Sequence, residues 1–213
     1  MTRTSTRSAG GALGGGVVFA GKRLAAQPFD GAGFLGREVA AFGSSLVAGA
    51  GAGREWLDEV WLPVGPAWIR VGKAAPPALR LNVRDAAVLA WAATRRELEV
   101  DWGATLSNGT AYLNAPSHGL RVNGDGAWGV ALGTTVLVAA TGVGREETRA
   151  HEMIHVIQDD FLTSVWSRPL ESWGWGRIAS GRLPLELGVV SILRGLEPMR
   201  DLEETEAGIL ARR

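Results

Sequence analysis

One segment constrains the fold of this chain more than any other, because it predicts two consecutive elements that pack on each other. Residues 133–140 (GTTVLVAA) are apolar and rich in β-branched side chains, which favours a strand. Residues 141–144 (TGVG) interrupt this run. Arg145, Glu146 and Glu147 then begin a helix whose first turn carries two acids, where the helix dipole favours them. A fold that mixes sheet and helices is therefore expected.

The predicted helix carries two histidines at a spacing that suits a metal ion. His151 and His155 are four residues apart, so their rings lie above one another on one helix face. Glu152 lies about 100° further round the helix, where a base could act on a water at the metal. The chain has only 3 His, and two of them fall in this pattern. The alternative is an amphipathic helix that exposes two histidines and binds no metal.

The pattern HExxHxxQ, made by His151, Glu152, His155 and Gln158, resembles the zincin metallopeptidases. More narrowly, it is similar to the small HExxHxxQ domain of bacterial proteins associated with extracellular contractile injection systems. The resemblance covers residues 133–161 and a short piece near the C-terminus. It implies a Zn²⁺ cofactor bound by the two histidines, Glu152 as catalytic base, and peptide-bond hydrolysis.

A third ligand is expected near the C-terminus. The gluzincins, which are zincins with a glutamate as third ligand, carry it in patterns that resemble ExxAD. The run ETEAG at 204–208 is similar and implies Glu204, although Gly208 stands where an acid would orient a ligating histidine. Should none of the nearby acids bind the metal, the remaining downstream candidates are Glu171, Glu186 and Glu197.

Helical periodicity favours a different acid at this end. Glu206 lies in the middle of an apolar stripe formed by Met199, Leu202 and Ile209, and a buried carboxylate there needs a cation as partner. Glu203 borders the same stripe. Glu204 instead lies on a side with Ala207 and Ala211, which suits close packing against another helix. All three acids would be unremarkable on a solvated helix face.

Peptide hydrolysis also needs a hydrogen-bond donor for the oxyanion of the transition state. The sequence has no Tyr or His after His155, where zincins often carry this donor. The candidates that remain are Tyr112, His118, Arg177 and Arg182. For Tyr112, the alternative is a partly buried strand residue.

Composition excludes one class of partner and leaves others open. Lys+Arg and Asp+Glu are 22 each, and no basic run is present, so nucleic acid is not an expected partner. The chain has no Cys and therefore no disulfide. Trp166, Trp173 and Trp175 cluster after the motif, where they fit a core, a substrate cleft or a membrane interface.

Residues 1–55 are rich in Gly and Ala and predict a closely packed pair of helices. Asp30 is the expected cap of the second helix, and Arg37 and Glu38 argue against a membrane span. Residues 9–21 have the length of a signal-peptide core, but Lys22 and Arg23 follow where small residues would mark cleavage. Membrane association stays open, and the cell envelope or secretion is the favoured location. The small residues spaced four apart are Gly11 and Gly15, Gly49 and Gly53, and Ala40, Ser44 and Ala48.

The remaining residues, 56–213, predict a zincin-like domain with a central antiparallel sheet from about residue 60 to 140. Asn108-Gly109 and residues 123–126 (NGDG) indicate hairpin turns. Residues 85–96 fit a short helix or a continuing strand. The expected fold is α+β, with an N-terminal helical pair, a central antiparallel sheet and C-terminal helices that carry the metal site. The expected function is a zinc metallopeptidase whose strand 134–139 pairs with a peptide or protein substrate. The alternative is a non-catalytic zinc-binding or envelope-associated interaction module.

Overall fold

The computed structural model of this protein describes residues 3–74, 76–81, 83–115, 120–122, 125–127, 129–139, 145–172, 204–207 and 209–211. Within these residues lie helices α1 (Arg3–Ala25), α2 (Ala32–Gly51), α3 (Val83–Ala93), α4 (Trp102–Asn108) and α5 (Arg145–Ser172). The strands are β1 (Val60–Val64), β2 (Ala67–Val71), β3 (Ala78–Leu81), β4 (Glu99–Val100), β5 (Ala111–Ala115), β6 (Leu120–Val122), β7 (Asp125–Ala127), β8 (Gly129–Leu132) and β9 (Thr135–Ala139). Residues 204–207 and 209–211 are helical and are called the C-terminal segment. The α+β class is therefore confirmed.

Helices α1 and α2 pack closely, which confirms the predicted helical pair. The glycines at the contact are, however, Gly14 against Gly43 and Gly21 against Gly36, where an added Cβ would lie within 2.9 Å of backbone atoms of the partner helix. The expected Gly11 and Gly15 have open space around their Cα atoms instead.

The predicted cap of the second helix is wrong. Gly31, in the left-handed conformation at φ 85°, is the N-cap residue of α2, and no side chain caps the helix there. Asp30 precedes this position. The turn therefore uses the conformational freedom of glycine where the sequence indicated a carboxylate.

The first sheet is antiparallel, with strand order β1-β2-β3. It lies against α2, and the Trp61 backbone N–H donates to Ser45 Oγ at 3.0 Å. Residues 83–93 form helix α3, which decides between the two forms that the sequence allowed.

The second sheet is mixed, so the expectation of a wholly antiparallel sheet is wrong in its centre. Its strand order is β4-β5-β9-β8, and β5 runs parallel to β9 while the other pairs are antiparallel. The Asn108-Gly109 hairpin is also absent: Asn108 ends α4, and Gly109 is its left-handed C-cap at φ 62°. By contrast, β6 and β7 pair with two residues between them, as the run at 123–126 predicted.

The predicted strand and helix of the motif segment are confirmed as β9 and α5. All five residues of β9 are buried, because the strand lies in the middle of the sheet and α5 covers it. One core cluster joins Val136, Met153 and Ile157 to Val18 and Ala40 of the N-terminal helices. Within the described residues, no helix combines the length and apolar character that a membrane span requires.

Strand β9 also has both of its edges occupied, since it pairs with β5 on one side and β8 on the other. The expectation that the strand 134–139 pairs with a substrate peptide is therefore wrong. The outer strand of this side of the sheet is β8.

Candidate metal centre

Helix α5 carries His151 and His155 on one face, as the i, i+4 spacing predicted. Their rings are 4.7 Å apart between centroids and meet at 76°. The neighbouring face of α5 is held in the core by Met153, Ile154 and Ile157, so the rotation of the helix is set by apolar burial. The two histidines consequently lie at the margin of the core, with part of each ring open to solvent.

The C-terminal segment packs on this margin and brings an acid to it. Ala207 and Leu210 are buried in a small cluster with Ile154 of α5 and Ala26, the residue that follows α1. Ile209 is 65% exposed, so the apolar stripe that favoured Glu206 as ligand is not the buried face. The buried side holds Ala207 and Ala211, and Glu204 shares this side of the helix.

His151, His155 and Glu204 form a group that could hold a metal ion. The two Nε2 atoms are 3.0 Å apart, and Glu204 places Oε2 at 3.3 Å from His151 Nε2 and Oε1 at 3.6 Å from His155 Nε2. Tetrahedral zinc with bonds of about 2.0–2.2 Å keeps its ligand atoms about 3.3–3.6 Å apart. The donor set and its spacing therefore fit such an ion.

The three side chains shift one another's pKa values. Hydrogen bonding from His155, together with the charges of both rings, lowers the pKa of Glu204 to about 2 against the opposing effect of burial. Burial lowers the pKa of His151, and the neighbouring His155 lowers it further. Burial acts in the same direction on His155, but Glu204, Glu152 and Gln158 outweigh it and raise the pKa of that ring.

A second layer of polar residues supports His155. Its Nδ1 lies 2.8 Å from Gln158 Oε1, and Gln158 Nε2 donates to Glu206 Oε2 at 2.9 Å. The same Glu206 oxygen accepts from Lys22 Nζ at 2.5 Å. Glu206 therefore has a cationic partner, as expected for an acid on an apolar stripe, and this partner is Lys22 of α1.

Glu152 is 6% exposed and lies beside the sheet as well as beside the histidines. A Cβ added to Gly129, the first residue of β8, would lie 2.9 Å from both Cγ and Oε1 of Glu152. The absence of a side chain at Gly129 thus makes room for this carboxylate. Glu152 also interacts electrostatically with His155.

Tyr112 lies in the core. It is 2% exposed on β5, its hydroxyl donates to the Arg149 carbonyl at 3.4 Å, and burial raises its pKa. The sequence allowed a partly buried strand residue as the alternative for Tyr112. The residue does lie on a strand, but it is fully buried.

Several other sequence candidates lie outside the described residues or have undescribed side chains. They are Glu203, His118, Arg177, Arg182, Glu186, Glu197, Trp173 and Trp175, and the side chains of Glu171 and Trp166. Lys22 is the residue that the sequence did not indicate, and its only signal was a charge interrupting a stretch of small residues.

Comparison of this chain with protein-family models, curated proteins and solved structures finds no match. The function is therefore inferred from the residues of the candidate site.

Proposed function

We propose that this protein is a zinc-dependent metallopeptidase that hydrolyses bonds of a peptide or protein substrate. The observation that carries the proposal is the meeting of His151, His155 and Glu204 at one point, next to the buried carboxylate of Glu152. Three protein ligands leave a fourth tetrahedral position for water, which is typical of catalytic zinc sites, whereas structural sites usually have four protein ligands. The side chain of Glu204 is 57% exposed, so this group is accessible from solvent.

Each residue of the site then has a defined role. When bound, zinc supplies a Lewis acid and lowers the pKa of water at the site to about 7. Glu152 accepts the proton of the attacking water on its carboxylate and donates it to the amine that leaves. Its buried position next to Gly129 holds the carboxylate in place for both transfers.

The substrate is proposed to bind as an additional strand on β8. Among the described strands β8 pairs only with β9, so its outer edge is the side on which an extended peptide would form backbone hydrogen bonds. Because Gly129 of this strand adjoins Glu152, a peptide bound there would run past the catalytic carboxylate.

The second candidate is a non-catalytic zinc-binding or envelope-associated interaction module. The burial of Tyr112 favours it, because this candidate oxyanion donor is already bonded to the Arg149 carbonyl. Both candidate functions use the same three zinc ligands, but only the metallopeptidase cleaves a substrate.

Zinc content and proteolysis of casein, measured on the same preparations, separate the two. Wild-type protein should bind one zinc per chain and cleave casein. Glu152→Gln should keep the zinc and lose about 100-fold or more in rate, the usual contribution of a general base. His151→Ala should lose both, because two ligands do not hold the ion against solvent. Glu97→Gln, on the exposed surface, is the control and should resemble wild type.

Zinc retained by Glu152→Gln with unchanged proteolysis would exclude Glu152 as the base. Zinc bound by every variant except His151→Ala, with no cleavage by any of them, would favour the interaction module.

The third ligand is tested by comparing Glu204→Gln with Glu206→Gln in zinc titrations. Removal of a true ligand should weaken zinc by more than about 100-fold, the upper end of the loss expected from residues that only support a ligand. We expect this large loss for Glu204→Gln and a smaller loss for Glu206→Gln. The reverse order would make Glu206 the ligand.

A further inference from the structure

We propose that Lys22, Glu206 and Gln158 form a positioning chain that holds His155 in a single tautomer. In this tautomer the proton is on Nδ1, and the lone pair of Nε2 points to the metal position. The chain of contacts is present in the geometry itself, whereas its purpose rests on the proposed metal site. It gives helix α1 a part in a site whose sequence motif lies entirely on α5.

The chain begins with the ion pair between Lys22 and Glu206. Lys22 is largely buried, and its ammonium can only donate hydrogen bonds. It donates to Glu206 Oε2 at 2.5 Å across 184 positions of sequence. The lysine therefore holds this carboxylate next to α5.

The second contact sets the orientation of an amide. An ionised carboxylate can only accept, so Glu206 requires the NH₂ end of Gln158, which lies 2.9 Å from Oε2. The oxygen of the same amide must then face the other way, towards His155. The oxygen and nitrogen of a side-chain amide are assigned from their hydrogen-bond partners. Here the carboxylate of Glu206 allows only the assignment with Nε2 towards it.

The third contact sets the proton on the imidazole. Gln158 Oε1 can only accept, so the Nδ1 atom of His155 at 2.8 Å must carry a hydrogen. The positively charged ring also carries a hydrogen on Nε2, which faces Glu204 Oε1 at 3.6 Å. The neutral ring lacks this second hydrogen, so its Nε2 is unprotonated and lies 3.0 Å from His151 Nε2. A metal ligand has to offer such a lone pair.

In many zinc sites the partner of a ligating histidine is a carboxylate or a backbone carbonyl. Here an amide stands between the ring and the carboxylate. The amide supplies direction without placing another negative charge in contact with the ring that already interacts with Glu152 and Glu204. The charge of Glu206 lies one residue further out, where Lys22 neutralises it.

The tautomer can be measured without any metal. In the ¹⁵N-labelled, metal-free full chain at pH 9, imidazole ¹⁵N shifts report which ring nitrogen of each of the 3 His carries the proton. His155 should be protonated on Nδ1 in wild type and in Lys22→Arg. Gln158→Leu and Lys22→Met should convert it to a mixture of tautomers. Arg23→Met removes a neighbouring, exposed charge from α1 and should behave as wild type.

Zinc affinity and the absorption spectrum of the Co²⁺ form give a second, independent readout. Gln158→Leu should bind zinc about 10–100-fold more weakly, the usual effect of losing the partner of a ligating histidine. Lys22→Met should act in the same direction, and both should change the ligand-field bands of Co²⁺. The two variants interrupt the chain at opposite ends, so the failure of one to fold leaves the other as the test.

The results separate this proposal from the proposed enzyme. His155 protonated on Nε2 in wild type, or Gln158→Leu with unchanged tautomer and zinc affinity, would overturn the positioning chain. Correct tautomers in a wild-type protein that binds no zinc would overturn the metallopeptidase and support the hydrogen-bonded chain alone.

Discussion

At the scale of single residues, Glu38 of α2 is in a costly environment. Burial raises its pKa to about 7, and the nearby Asp160 adds to this, although Arg37 opposes the shift. Its Oε1 atom is buried without a hydrogen-bond partner. The folded protein therefore holds a proton on this carboxyl more tightly than the unfolded chain does.

The pH dependence of stability follows from this shift. Between pH 4.5, the ordinary pKa of the group, and about 7, the folded state binds more protons, so the free energy of unfolding falls as the pH rises. Glu38→Gln is neutral at every pH and should therefore be more stable than wild type at pH 8. Because solvent screens part of the effect, we expect about 1 kcal/mol at pH 8 and little difference at pH 4.

Urea unfolding of both proteins at the two pH values measures the effect. Glu97→Gln, at an exposed position, serves as the control and should change stability by less than about 0.5 kcal/mol. An equal effect of Glu38→Gln at both pH values would show that its carboxyl does not titrate differently on folding.

At the scale of elements, the contact of α1 with α2 depends on two pairs of glycines seven residues apart on each helix. Gly14 faces Gly43, and Gly21 faces Gly36. Seven residues are close to two helical turns, so the two glycines of each helix lie on the same face. This spacing allows the two backbones to touch at two levels.

A methyl group at one of these glycines should separate the helices. A Cβ on Gly36 would lie 2.5 Å from Gly21 O and 2.6 Å from Ala25 Cα. Both are backbone atoms, which cannot move aside as the end of a flexible side chain can. Gly36→Ala should therefore lower the free energy of unfolding by about 1–3 kcal/mol, as overpacking usually does. Thermal and urea unfolding measure the change.

Gly15→Ala is the matched control, since nothing lies within 4 Å of the added Cβ on this helix. Alanine is the better helix former, so this variant should gain about 0.5–1 kcal/mol. Equal effects of the two substitutions would contradict the close approach at Gly36.

At the scale of the whole molecule, Arg37 joins several parts of the chain. It is 1% exposed, and its Nε donates to Asp160 Oδ2 of α5 at 2.7 Å. Its Nη1 donates to the Gly109 carbonyl at 3.0 Å, where α4 ends, and Nη2 reaches the Gly65 carbonyl at 3.5 Å, between β1 and β2. One side chain thus ties α2 to the β1–β2 turn, to the end of α4 and to α5, the helix of the candidate metal ligands.

Arg37→Met should destabilise the whole protein by about 3–5 kcal/mol, because it leaves the buried carboxylate of Asp160 without its cation. The double variant Arg37→Met with Asp160→Leu removes that lone charge and should recover part of the loss. Denaturant unfolding of the three proteins measures both effects. A double variant less stable than Arg37→Met alone would mean that the lone carboxylate is not the main cost.

The sequence alone determined what is local along the chain. The strand that became β9, the helix that became α5 and the common face of His151 and His155 all follow from periodicity over a few residues. The small residues of the N-terminal third predicted a close helical pair, but not which glycines meet, because that depends on how far the second helix slides along the first. The α+β class followed from these elements without knowledge of their order in a sheet.

The tertiary structure decided everything that joins distant residues. Glu204 and Glu206 are two positions apart but have different partners. Glu204 lies with the two histidines, whereas Glu206 contacts Gln158 and Lys22. Helical periodicity assigned Glu206 to a buried stripe because it could not show that Ile209 would be exposed. The parallel pairing of β5 with β9 could not be predicted from the sequence either, since strand order depends on the path of the intervening chain. Local pattern limits which side chains share a face, and only packing between separate elements selects which faces meet.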